Sequence, residues 1–60
     1  MSGAERYVVE VGGEIAGILV GVDGSFTFFA SAQWAWPLNE RRFASPGEAE
    51  LQLIGLRRAS

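Results

Sequence analysis

Two glycine-bearing pairs, Gly12-Gly13 and Asp23-Gly24, divide the first half of this chain into three runs of strand-forming residues. That punctuation constrains the fold more than any other feature. Two adjacent residues that both accept positive φ close a tight hairpin whose twist matches the strands beside it. Residues 6–11 (Arg-Tyr-Val-Val-Glu-Val) are rich in β-branched and aromatic side chains and read as a first strand. Residues 14–22 read as a second strand and residues 25–30 as a third. Met1 to Glu5 are expected to be a frayed start.

Parity sorts the faces. A two-residue turn at Gly12-Gly13 sets Val11 opposite Glu14, Val9 opposite Ala16 and Tyr7 opposite Ile18. One face then collects Tyr7, Val9, Val11, Ala16, Ile18, Val20 and Val22, and is almost wholly apolar. The other collects Arg6, Val8, Glu10, Ile15, Gly17, Leu19 and Gly21, and is mixed. A slip of one residue would scramble this sorting. The second turn admits two registers. A three-residue loop, Val22-Asp23-Gly24 with Gly24 left-handed, sets Val20 opposite Phe26 and Ile18 opposite Phe28. Phe26 and Phe28 then join the apolar face, while Thr27 and Phe29 point away. A two-residue Asp23-Gly24 turn reverses this. The bulged version is preferred because it makes the faces more unequal.

Residues 31–37 (Ser-Ala-Gln-Trp-Ala-Trp-Pro) read as a linker or irregular edge, and the spacing of Trp34 and Trp36 suits a strand with both rings on one side. Pro37 forbids a central-strand amide. Residues 38–43 suit a short fourth strand whose edge Asn39, Glu40, Arg41 and Arg42 keep polar. Ser45-Pro46-Gly47-Glu48 is a helix start: Ser45 as N-cap, Pro46 at the first helical position, Glu48 closing a capping box. The helix either ends at Gly55, with Leu56 folding back on Leu51, or continues to Arg58. Arg57 and Arg58 suit the negative end of its dipole in both cases.

The expected fold class is therefore α+β: one domain over residues 1–60, an antiparallel sheet of three or four strands, and one C-terminal helix. The helix is expected on the Tyr7–Val9–Ile18–Val20 face.

Composition excludes more than it selects. The chain of 60 residues has five arginines, seven acidic residues, and no Lys, His or Cys. Disulfides, thiolate chemistry and cysteine-held zinc are excluded. So are histidine general bases and lysine Schiff bases. The expectation is no enzyme, no cofactor and no metal. The net charge of −2 does not suit a phosphate-binding surface. Residues 1–5 lack the basic and apolar regions of a signal peptide. The longest apolar run, residues 15–22, falls well short of the roughly 20 residues that span a bilayer. By elimination a cytoplasmic protein is expected. A domain this small buries only about 60% of its unfolded surface, and self-association is the staple left open to it.

The run Gly13-x-x-x-Gly17, then Asp23-Gly24-x-Phe26-x-Phe28-Phe29-Ala30, then Phe43-Ala44-Ser45-Pro46-x-Glu48-Ala49-Glu50 covers most of the chain. In this order it resembles a widespread kind of small, uncharacterised bacterial protein with a three- or four-stranded sheet and one helix. No activity is implied by that resemblance. Two other folds share the order more loosely: the three-stranded DNA-binding domain of plant ethylene-response regulators, and HicB-like antitoxins. The basic sheet of the first and the Gly-Cys-x-Thr loop of the second are missing here, so both are analogies of topology and carry no function across.

Val8, Ile15, Leu19 and Phe29 are expected to form an apolar stripe on the sheet face away from the helix, a face that antiparallel sheets usually keep polar. Such a stripe suits an unidentified protein partner or a second copy of the chain, unless the Trp34–Trp36 loop folds over it. Trp34 and Trp36 are further interface candidates, or else cap one end of the core. The leading expectation is a small homodimeric interaction module. The alternative is a nucleic-acid-associated regulator using Arg41, Arg42, Trp34 and Trp36. Gly17 and Gly21 are expected to leave room for rings such as Phe26 or Phe28. Glu10 and Glu14, flanking the first turn, read as solvated charge.

Overall fold

Both tight turns form where the glycines place them. Gly12 and Gly13 have φ of 61° and 82°, Asp23 and Gly24 of 56° and 81°. Positive φ at both central residues is the hairpin geometry that matches strand twist. In the computed structural model, which describes residues 5–59, β1 (Glu5–Val11), β2 (Glu14–Val22), β3 (Ser25–Ala30) and β4 (Arg42–Phe43) form one antiparallel sheet. The order is β1-β2-β3-β4. A 3-10 helix, Gln33–Leu38, joins β3 to β4, and α1 (Pro46–Ala59) follows. The fold is α+β. The expected frayed start lies outside the described residues except at Glu5, which opens β1.

Two departures from simple parity decide the faces. The β1–β2 register runs Val11 to Glu14 and Glu10 to Ile15, then shifts, so that Val9 faces Gly17 and Tyr7 faces Leu19. Ala16 is the extra residue of a β-bulge. Its methyl is fully buried, and its carbonyl accepts the N–H groups of Ser31 (2.8 Å) and Ala32 (3.1 Å) where the chain leaves β3. The bulge thus does work that a regular ladder position would not: it ties down the exit of β3. Beyond it the faces of β2 are exchanged. Leu19 and Gly21 turn to the helix, and Ile18, Val20 and Val22 turn away, opposite to the parity expectation.

The second departure is the turn itself. Val22 pairs with Ser25 and Leu19 with Phe28, so the loop has two residues and the preferred three-residue version is corrected. The two one-residue errors cancel for β3: Phe28 is buried and Phe29 is exposed, as expected, though beside Leu19 and Ile18 rather than the partners assigned.

The helix therefore packs on the Tyr7–Val9–Leu19–Phe28 face. The core is Val9, Ala16, Leu19, Phe28, Ala35, Leu38, Phe43, Ala49 and Leu53. Full burial of a Leu or Phe contributes about 1.5–3 kcal/mol, so Leu19, Phe28 and Leu53 are its main members. The rings of Phe28 and Phe26 lie over Gly17 and Gly21, the room those glycines were expected to leave.

β4 begins at Arg42, later than expected. The chain before it is held by Asn39 N–H to the Trp36 carbonyl (2.9 Å) and Arg41 N–H to the Leu38 carbonyl (3.1 Å). Glu40, left-handed at φ 66°, donates its N–H to the Phe28 carbonyl (2.6 Å), and Phe28 donates its own to Arg41 (2.9 Å). The Asn39 side chain then accepts from the Ala30 N–H at 2.8 Å, covering backbone that the short strand leaves unpaired.

At the start of α1, the Ser45 hydroxyl accepts from the Glu48 N–H (3.2 Å), and the Glu48 carboxylate accepts from Ala44 (2.9 Å). The box closes one residue further out than the usual pattern. The helix runs through Gly55, so no contact of Leu56 with Leu51 caps it. A mid-helix glycine costs about 1 kcal/mol. Offsetting this, Leu56 packs on the core, and Arg57 reaches Glu14 (3.3 Å) and the Trp34 ring (5.3 Å). Among the described residues, no helix is long and apolar enough to cross a membrane.

Candidate interaction surface

Residues of one face follow directly from the register. Val8, Ile18 and Phe29 form a row across three strands. Toward the second turn lies a row of Arg6, Val20, Thr27 and Arg42, spanning all four strands. On the other side lie Glu10 and Ile15. Val8, Ile15, Ile18, Val22 and Phe29 retain 41–62% of their surface. Among the described residues nothing covers them, because α1 and the 3-10 helix both contribute their buried residues to the opposite side. An apolar face rimmed by charge is the usual mark of a contact surface.

The charges are unevenly placed. Arg6 and Arg42 sit in one row, and Glu10 lies beyond the apolar centre. Neither Arg6, Arg42 nor Glu10 takes part in the ion pair found among the described residues, which joins Arg57 to Glu14.

Of the expected stripe, Val8, Ile15 and Phe29 do lie together. Leu19 does not: it is fully buried against Phe28 and is unavailable for contact. Ile18 takes its place, joined by Val22, which had been assigned to the helix side. No periodic signal could have found this, since Ile18 and Leu19 are equally apolar neighbours and only the bulge decides between them.

The tryptophans separate. In a 3-10 helix, with about three residues per turn, positions two apart diverge instead of sharing a side. Trp34 packs against the core under the Arg57 guanidinium. Its Nε1–H is buried with no hydrogen-bond partner in the described structure. Trp36 stays 56% exposed. The Trp34–Trp36 segment therefore does not fold over the stripe. Arg41 and Arg42 are both exposed, but Arg42 belongs to the open face and Trp34 to the helix side.

Little else resembles a site. The Tyr7 hydroxyl donates to the Glu5 carboxylate at 3.0 Å, and its ring lies 5.9 Å from that of Phe26. That hydrogen bond, together with the carboxylate charge and slight burial, raises the Tyr7 pKa. A shallow concavity at the second turn is lined by Glu5 and residues 21–26. No group of three potential metal ligands occurs among the described residues. No protein-family model, curated protein or solved structure matches the chain.

Proposed function

We propose that this protein is a small non-enzymatic interaction module that forms a homodimer through the open sheet face. The observation that carries the reading is the row Val8–Ile18–Phe29, apolar, contiguous and uncovered. A second copy is the favoured occupant because the face sets Arg6 and Arg42 on one side of its apolar row and Glu10 on the other, a pattern complementary to itself. The strands have seven, nine, six and two residues, and at about 3.4 Å per residue and about 4.8 Å between strands they present a face of about 400 Å². Stacking two such faces buries on the order of 800 Å², the size of a weak, transient pairing. A weak dimer whose population depends on concentration is the expectation.

The reading of Arg41, Arg42, Trp34 and Trp36 as a nucleic-acid surface has less support, because Arg42 and Trp34 lie on opposite sides of the sheet.

The test is solution mass against concentration, by light scattering after size exclusion. The wild type is expected to pass from monomer to dimer across the micromolar range. Ile18→Glu, which puts a carboxylate at the centre of the face, is expected to remain a folded monomer by circular dichroism. A wild type that stays monomeric to several hundred micromolar, or an Ile18→Glu protein that dimerises normally, overturns the reading.

A further inference from the structure

The open face carries its charges in an order that selects one way of stacking two copies. Along β1 the outward residues are Arg6, Val8 and Glu10, a cation and an anion symmetrically placed about an apolar centre. Ile18 and Phe29 continue that centre across β2 and β3, and Arg42 adds a second cation in the Arg6 row. Resting on the dimer reading above, we infer that the two sheets stack with their strands antiparallel. The two-fold axis then runs across the strands over the Val8–Ile18–Phe29 row, and Arg6 of each copy faces Glu10 of the other.

The geometry follows from symmetry. A two-fold contact is isologous, so whatever one copy presents must suit the same surface on its mate. Two face-to-face arrangements are available. With the axis along the strands, each row meets the same row. Arg6 of each copy then faces Arg42 of the other at one end, and both Glu10 carboxylates lie at the opposite end with no cation facing them. With the axis across the strands, the Arg6 row lies over the Glu10 row, the apolar rows coincide, and two equivalent ion pairs form. Packed sheets lie about 10 Å apart, a gap that an Arg and a Glu side chain bridge together. Like charges opposed across an interface are costly, and rim pairs of opposite sign set orientation more than affinity. Arg6 and Glu10 thus determine register, while Val8, Ile18 and Phe29 provide the adhesion.

Charge reversal tests this. Each of Arg6→Glu and Glu10→Arg turns both attractive pairs into repulsive ones, and each is expected to weaken the dimer about 10-fold. The double variant Arg6→Glu/Glu10→Arg restores opposite pairing and is expected to recover the wild-type curve. Both positions are exposed strand residues, so folding is checked by circular dichroism, and the neutral Arg6→Gln and Glu10→Gln serve as milder versions. Raising salt from 0.05 to 0.5 M is expected to weaken the wild type and the double variant alike. Single reversals without effect, or a double variant no better than the singles, overturn the antiparallel register and leave the dimer reading standing. If Ile18→Glu also dimerises, the contact is not at this face, and both fall.

Discussion

The Phe28 ring lies over the backbone of Gly17 so closely that a Cβ there would come 2.7 Å from its Cζ. The same Cβ would collide with the Phe29 carbonyl, which belongs to the ladder and cannot yield. Gly17→Ala is accordingly expected to lose about 3 kcal/mol, the upper range for overpacking. Gly21→Ala meets only the half-buried Phe26 ring, at 2.5 Å, and is expected to lose about 1 kcal/mol. Urea unfolding of the two variants decides the matter; equal midpoints would show that Phe28 is as free to move as Phe26.

Leu19 and Ile18 are adjacent, both apolar, and opposite in role. Leu19→Ala is expected to lose about 2–5 kcal/mol by leaving a cavity beside Phe28. Ile18, 41% exposed, is expected to lose well under half as much in a dilute, monomeric sample. Leu19→Glu is expected to unfold the chain outright, since a carboxylate there is buried without a partner. A larger loss at Ile18 than at Leu19 would contradict the bulge at Ala16.

Glu40 holds a left-handed conformation with an ordinary side chain. An L-residue pays roughly 1–2 kcal/mol for that region, which glycine does not. Glu40→Gly should raise stability by up to about 1 kcal/mol, the remainder being lost to the more flexible unfolded chain. Thermal melts of wild type and variant provide the comparison, and a lowered midpoint would refute the turn.

Ser45→Ala removes the hydroxyl that accepts the Glu48 N–H. The expected cost is about 1 kcal/mol, read from the urea midpoint. Ser45→Asp is expected to restore most of it, since a carboxylate also accepts from the first turn and favours the helix N-terminus.

Tyr7 is the single tyrosine, so its titration is read directly from phenolate absorbance. Its hydroxyl donates to Glu5, which favours the neutral phenol and raises its pKa in the folded chain. The sign follows: this contribution to stability is complete below the unfolded phenol value of about 10. It is lost as pH rises through the higher folded value. Glu5→Gln is expected to move the midpoint downward. An unchanged midpoint would mean that Glu5 does not hold the hydroxyl in solution.

Local chemistry was legible in the residues. Gly12-Gly13 and Asp23-Gly24 close turns because left-handed backbone is accessible to them, and Ser45-Pro46-x-Glu48 starts a helix because its groups satisfy orphan amides within one turn. Those are short-range events, decided by neighbours in sequence. The α+β class follows from their order. An uncovered sheet face was also foreseeable, since one helix cannot cover both sides of a sheet.

What only the tertiary structure decided is which residues occupy that face. A side chain in a strand changes sides with each step, so one extra residue at Ala16 exchanges Ile18 for Leu19 without any change in composition. The bulge is held by the Ala16 carbonyl meeting Ser31 and Ala32, residues beyond the far end of β3. The tryptophans diverge because Gln33–Leu38 coils instead of extending. The helix continues past Gly55 because Arg57 finds Glu14 and Trp34. At the bulge and at Gly55 a contact between residues distant in sequence outweighed a local preference worth about 1 kcal/mol, and such contacts exist only once the chain has folded.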